Sequence, residues 1–164
     1  MTWIYKIQFD PKRRSMKKSI YIALLISLFA IQANAQQAKA HINHTAIYVM
    51  DIQKTGSFYS NVIGLDTIPE PFHDGKHIWY STSAHTMLHV IAGATAKKEY
   101  YKNQHTCFTV PDFNMFIEKL KKLNWAYEDV AGNKNAITTR VDGVHQIWLQ
   151  DPDGYWLEIN DDKY

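Results

Sequence analysis

Four side chains in this sequence have the types and spacing to hold a divalent metal ion. His44 and His105 each stand seven residues before an aspartate, Asp51 and Asp112, and five before a valine, Val49 and Val110. His89 in Met-Leu-His-Val-Ile and Glu158 in Trp-Leu-Glu-Ile-Asn each interrupt an aliphatic run. The intervals are similar: 45 residues from 44 to 89, and 53 from 105 to 158. A lone strand histidine is usually a hydrogen-bonded core residue, and a lone Glu is usually solvated. Two copies of one arrangement argue otherwise. Three imidazoles and a carboxylate that converge form a nitrogen–oxygen donor set suited to Zn, Ni, Fe, Mn or Co. Only Glu158 among the four is also a carboxylate able to carry a proton, which makes it the candidate catalytic group.

A repeated unit must position these residues, and the pattern supplies one. Residues 41–50 alternate as a strand, with Asn43, Thr45, Ile47 and Val49 on one side and His44, Ala46 and Tyr48 on the other. Asp51 is an N-cap for a helix in which Thr55, Phe58, Tyr59 and Val62 recur at helical spacing, up to Gly64. Pro69 and Pro71 restrict 65–71 to an edge strand or extended loop. Two strands follow at 77–82 and 86–92, then a linker at 93–103. The order begins again with a strand at 104–110 and a helix opened by Pro111 and Asp112. In that helix Phe113, Phe116, Ile117, Leu120 and Leu123 keep one face. Strands are expected at 127–130, 136–141 and 144–150. A tight turn, Asp151-Pro152-Asp153-Gly154, then leads into the last strand at 155–160.

The chain thus reads as two strand–helix–strand–strand–strand modules, about 41–95 and about 104–160. Ile47, Leu88, Val90, Phe108, Leu157 and Ile159 should face the helices. The four metal-type residues fall on the opposite side, lining a shared cavity. Trp148, Trp156, Met87 and Tyr48 are the candidate pocket walls, with Cys107 beside the ligands. Arg140 is a candidate clamp for a carboxylate or phosphate.

Bulk properties narrow the setting. The formal charge of +2 over 164 residues conceals an asymmetry. Residues 1–35 hold Lys6, Lys12, Arg13, Arg14, Lys17 and Lys18 against Asp10, so the remainder is mildly acidic. That gives no electrostatic reason to expect nucleic acid. Lys17 and Lys18, the apolar run 20–31 and Gln32-Ala-Asn-Ala35 have the layout of a secretory signal. The expectation is therefore an N-terminal extension and signal over 1–35, translation from Met16, and a periplasmic or secreted single domain over 36–164. No membrane attachment is expected once the signal is cleaved. Cys107 is the single cysteine, so no internal disulfide can form.

Asn43-His44-Thr45-Ala46-Ile47-Tyr48-Val49, the helix end Phe58-Tyr59 to Gly64-Leu65, Gln104-His105-Thr106 and Asp151-Pro152-Asp153-Gly154-Tyr155-Trp156-Leu157-Glu158 together resemble the vicinal oxygen chelate superfamily. That superfamily includes glyoxalase I, extradiol dioxygenases, methylmalonyl-CoA epimerase and the fosfomycin and bleomycin resistance proteins. The resemblance covers about 41–160. It implies an α+β fold of two βαβββ modules curving into an incompletely closed eight-stranded barrel. It places the metal ligands at His44, His89, His105 and Glu158. It also implies a small substrate chelated through two neighbouring oxygens, an enediolate-type intermediate and glyoxalase I-like lyase or isomerase chemistry. Its members often dimerise, which makes a second copy of the chain a candidate partner. The sequence departs from glyoxalase I at His89, where that enzyme has Glu. One carboxylate instead of two leaves a divalent site near +1 and favours an anionic substrate. His44, His105 and Glu158 alone match the two-histidine, one-carboxylate set of non-haem iron oxygenases. Ring cleavage is therefore the alternative, followed by fosfomycin- or bleomycin-resistance-type inactivation or binding. Export makes the ordinary glutathione-dependent reaction harder to place, since its substrates are mainly cytosolic.

Overall fold

The structure is a computed structural model, and it describes residues 39–163; the expected signal at 16–35 lies outside the described residues. Two modules follow one another from residue 42. The first consists of β1 (His44–Val49), α1 (Ile52–Ser57), a π-helical continuation (Phe58–Ile63), β2 (Thr67–Ile68), β3 (His77–Ser83) and β4 (Thr86–Ala92). The second repeats it with β5 (His105–Thr109), α2 (Phe113–Lys122), β6 (Thr138–Thr139), β7 (His145–Gln150) and β8 (Trp156–Asn160). Their strands form two separate four-stranded sheets, ordered β1-β4-β3-β2 and β5-β8-β7-β6. In each, the first strand runs parallel to the last and the other pairs are antiparallel. The sheets are not closed into a barrel, and among the described residues β1 and β5 are outer strands paired on one side only.

Local sequence accounts for most of these boundaries. The Asp51 carboxylate accepts from the Gln53 and Lys54 amides at 3.0 Å, capping α1. Thr55, Phe58, Tyr59 and Val62 are all buried, and Gly64, in the left-handed region, ends the run. The Gly64 amide donates five residues back to the Tyr59 carbonyl at 3.0 Å, the π-type bond. Asp112 caps α2 through the Met115 amide at 2.8 Å. Phe113, Phe116, Ile117 and Leu120 are buried, but Leu123, expected on the same face, caps the helix and is exposed.

The region 127–130 is not a strand. Glu128 makes isolated bridges to Lys134 and Trp148 only, and the strand expected at 136–141 shrinks to Thr138–Thr139. The cause is a local turn: the Asp129 carboxylate takes both the Asn133 amide and its side-chain nitrogen at 2.8 Å, diverting the chain from the ladder.

Ile47, Leu88, Val90, Leu157 and Ile159 join both helices in one core, with Phe108 packed against it. Each fully buried aliphatic side chain of this kind contributes about 1.5–3 kcal/mol. The Asp151–Gly154 turn fastens the second module to the first. Asp151 accepts from the Asp153 and Tyr155 amides at 2.9 Å and from the Tyr59 hydroxyl at 3.1 Å. Asp153 accepts from the Met50 amide at 2.7 Å and the Thr55 hydroxyl at 2.5 Å. Gly154 supplies the positive φ of 94° that closes the turn. Burial pushes the Asp151 carboxyl up to about 6, against the amides and the Tyr59 hydroxyl that pull it down.

Candidate functional site

The duplication holds at the level of strand register. His44 lies opposite Met87, and Ala46 opposite His89. His105 lies opposite Trp156, and Cys107 opposite Glu158. In both modules the second metal-type residue therefore faces the position two beyond the first. The neighbouring strand adds a tryptophan each time: Trp79 pairs with His89, and Trp148 with Glu158.

In the first module the rings stack. Trp79 and His89 are 4.0 Å apart with planes 1° from parallel, and His89 and His44 are 4.2 Å apart at 8°. The Asn43 side-chain oxygen, 2.9 Å away, accepts from His44 Nδ1 and leaves Nε2 with its lone pair. Among the described residues, His89 Nε2 and Trp79 Nε1 are buried without a hydrogen-bond partner. Desolvation, then the nearness of His44, lowers the His89 pKa and keeps the ring neutral, the form that ligates a metal. An imidazole nitrogen donates in its ring plane, so the two parallel rings cannot serve one ion while the stack holds.

In the second module the contacts are polar. His105 Nδ1 donates to the Lys102 carbonyl at 2.9 Å, which again leaves the lone pair on Nε2. That nitrogen is 3.2 Å from Glu158 Oε2. Two acceptors this close require a proton or a cation between them. Glu158 Oε1 is already engaged, accepting from Asn160 Nδ2 at 3.0 Å and the Cys107 thiol at 3.5 Å. Partial desolvation, then the Glu158 charge, pushes that thiol up to about 12, so it remains a donor. The donor set on these two sheets, three imidazoles with free Nε2 positions or an orphaned one and one carboxylate oxygen, fits a divalent ion. The structure pairs His44 with His89 and His105 with Glu158. It does not gather all four: among the described residues no three His, Cys, Asp or Glu side chains form a metal-holding group.

The expected pocket residues separate in the same way. Trp148 is buried, edge-on to His105 at 6.2 Å. With Trp156, Tyr127, Glu128 and Gln150 it bounds a cavity of about 280 Å³. Met87 lines another, about 600 Å³, with Thr45, Thr106 and Phe108. Tyr48 is half exposed and lies against Gly93, where its ring leaves no room for a Cβ. Arg140 is engaged by Asp142 and, at 3.3 Å, by Asp162. Sequence reasoning missed Trp79, Lys102 and Asn160. Trp79 was findable, since it stands ten residues before His89 as Trp148 stands ten before Glu158. Asn160 shares the face of Glu158 in the alternation. Nothing local marks Lys102.

A duplicated α+β chain of two βαβββ modules, with paired metal-type residues on the outer and central strands, has the architecture of the vicinal oxygen chelate proteins. The profile of the Glyoxalase/Bleomycin resistance protein/Dioxygenase superfamily matches residues 41–159, and the chain belongs to that superfamily. A lactoylglutathione lyase of Pseudomonas putida is 23% identical over 160 aligned residues, covering 78% of this chain and 88% of that one. The mitochondrial methylmalonyl-CoA epimerase of Homo sapiens is 29% identical over 93 residues, 49% of this chain and 52% of its own length. Among solved structures, a glyoxalase/dioxygenase from Nostoc punctiforme superposes with a TM-score of 0.64 at 21% identity, covering 79% of this chain and 96% of that one.

Proposed function

We propose that this protein is an exported, metal-dependent lyase or isomerase of the glyoxalase type, acting on a small substrate with two neighbouring oxygens. The carrying observation is the 3.2 Å approach of His105 Nε2 to Glu158 Oε2, two acceptors that call for a proton or a cation between them, together with the matching His44–His89 pair in the first module. With the His44–His89 stack opened, His44, His89, His105 and Glu158 would hold one divalent ion, which would polarise the substrate oxygens as a Lewis acid. Glu158 would move the proton at the carbon beside them, its other oxygen held by Asn160 and Cys107. Because the two pairs sit on separate sheets, fastened by the Asp151–Gly154 turn, we assign the second pair of each site to a second copy of the chain. The free outer edges of β1 and β5 support that pairing, since unpaired edges are sites of association.

One observation favours a second reading. If His89 stays in its stack with Trp79, the remaining His44, His105 and Glu158 are the oxygenase set. The test loads the purified protein with Zn, Ni, Fe, Mn or Co in turn. Each form is then assayed for glyoxalase, ring-cleaving and fosfomycin-modifying activity. The expected result is about one ion per site and isomerase or lyase turnover. Failure to bind any ion overturns the reading, and iron-dependent oxygen consumption transfers it to the alternative.

A further inference from the structure

We infer that Lys102 is a positioning residue for His105, a role that rests on the proposed site but is measurable without turnover. The linker before β5 does not hang free. Three successive carbonyls at its end are each occupied. Tyr100 O accepts from Trp156 Nε1 at 3.0 Å, Tyr101 O from the Gln104 amide at 2.8 Å, and Lys102 O from His105 Nδ1 at 2.9 Å. The Tyr100 ring stacks on Tyr155 at 4.3 Å. The linker is thus laid along β8, the strand that carries Glu158.

The Lys102 side chain locks its end. Its ammonium pairs with Glu128 and donates to the Asp129 carbonyl at 3.1 Å and the Val130 carbonyl at 3.4 Å. It also lies 5.1 Å from the Trp156 ring centre and 5.9 Å from that of Trp148, within cation–π range. One residue therefore joins the turn at 128–130, the two indoles and the imidazole. The anchored ammonium restrains the backbone at Lys102, and with it the carbonyl that accepts from His105 Nδ1. That carbonyl selects the His105 tautomer with Nδ1–H, and so directs the Nε2 lone pair at Glu158. Groups that orient a histidine ligand from behind typically change metal affinity by about 10–100-fold when removed.

Lys102→Met keeps the aliphatic stem over the rings and removes the charge. Glu128→Gln removes the counter-charge while the backbone pairing of Glu128 with Trp148, at 2.9 and 2.8 Å, remains. Nitrogen-15 NMR of the imidazoles, followed by zinc titration, reads both. The expected result is a mixed or inverted His105 tautomer in each variant, an unchanged His44 spectrum, and about 10–100-fold weaker zinc binding. Lys102→Arg, which restores the charge, should restore both. Thermal unfolding identifies a variant that fails to fold, in which case the other decides. An unaltered His105 tautomer in both folded variants overturns the inference. If the wild type takes up no zinc while the tautomer still moves, the inference stands and the metal reading of the site falls.

Discussion

The two modules hold equivalent residues at equivalent register positions by different physics. In the first, His44 and His89 are held by ring stacking under Trp79, with one nitrogen buried and unpaired. In the second, His105 and Glu158 are held by hydrogen bonds: the imidazole donates to a backbone carbonyl behind it, and the carboxylate accepts from an amide and a thiol. Neutral imidazoles can donate lone pairs once they unstack but give no carboxylate to exchange protons. A carboxylate with one oxygen fixed by Asn160 and Cys107 and the other turned to His105 can do both. The duplication therefore supports a division of labour, in which the first pair anchors and the second reacts.

The largest effect should come from testing that division directly. Glu158→Gln keeps shape and removes the charge; turnover in whichever reaction the wild type performs should fall about 10³-fold, within the usual 10²–10⁴ for a proton-transfer group. His89→Ala should weaken metal binding more than it lowers the turnover of the loaded enzyme. Calorimetry and steady-state kinetics on both variants separate the two, and equal profiles would erase the distinction. A retained metal and new oxygen consumption in His89→Ala would favour the oxygenase set.

A smaller effect concerns the turn that joins the modules. Burial raises the Asp151 carboxyl to about 6, above the roughly 3.9 of an unfolded Asp. A raised folded-state value means the protonated form is favoured by folding. Its contribution is full below about pH 4 and is lost as pH rises through about 6. The gap of about two units is worth at most about 3 kcal/mol. Asp151→Asn keeps an oxygen for the Asp153 and Tyr155 amides and presents a donor to Tyr59. Between pH 7.5 and 4.5 the wild type should gain about 1–3 kcal/mol relative to this variant in denaturant unfolding. A constant difference would show that the turn does not carry that strain.

Much of the fold was legible because period-2 and helical patterns, Asp51 and Asp112 caps and Gly64 are local signals. The repeat count also placed the four metal-type residues at equivalent register positions, since register follows from spacing when both sheets share one topology. Two things were not legible. The turn built by Asp129 and Asn133 competes with a strand through side-chain bonds that alternation cannot register. The separation of the two pairs is a matter of how the modules pack. That packing is set by Asp153 reaching Met50 and Thr55, contacts far apart in sequence. Lys102 was hidden for the same reason: its partners at 128–130 lie beyond α2.

The claim on which the rest depends is that each site takes one pair from each of two copies. A double variant, His44→Ala with His89→Ala, can be co-expressed with a second, His105→Ala with Glu158→Ala, under different affinity tags. Each parent alone should bind no ion at the site. In the doubly tagged dimer one site loses both pairs and the other keeps both, so the account predicts one ion per dimer, bound at wild-type affinity. A mixed dimer as empty as its parents, or a wild type that holds its ion as a monomer, would contradict it.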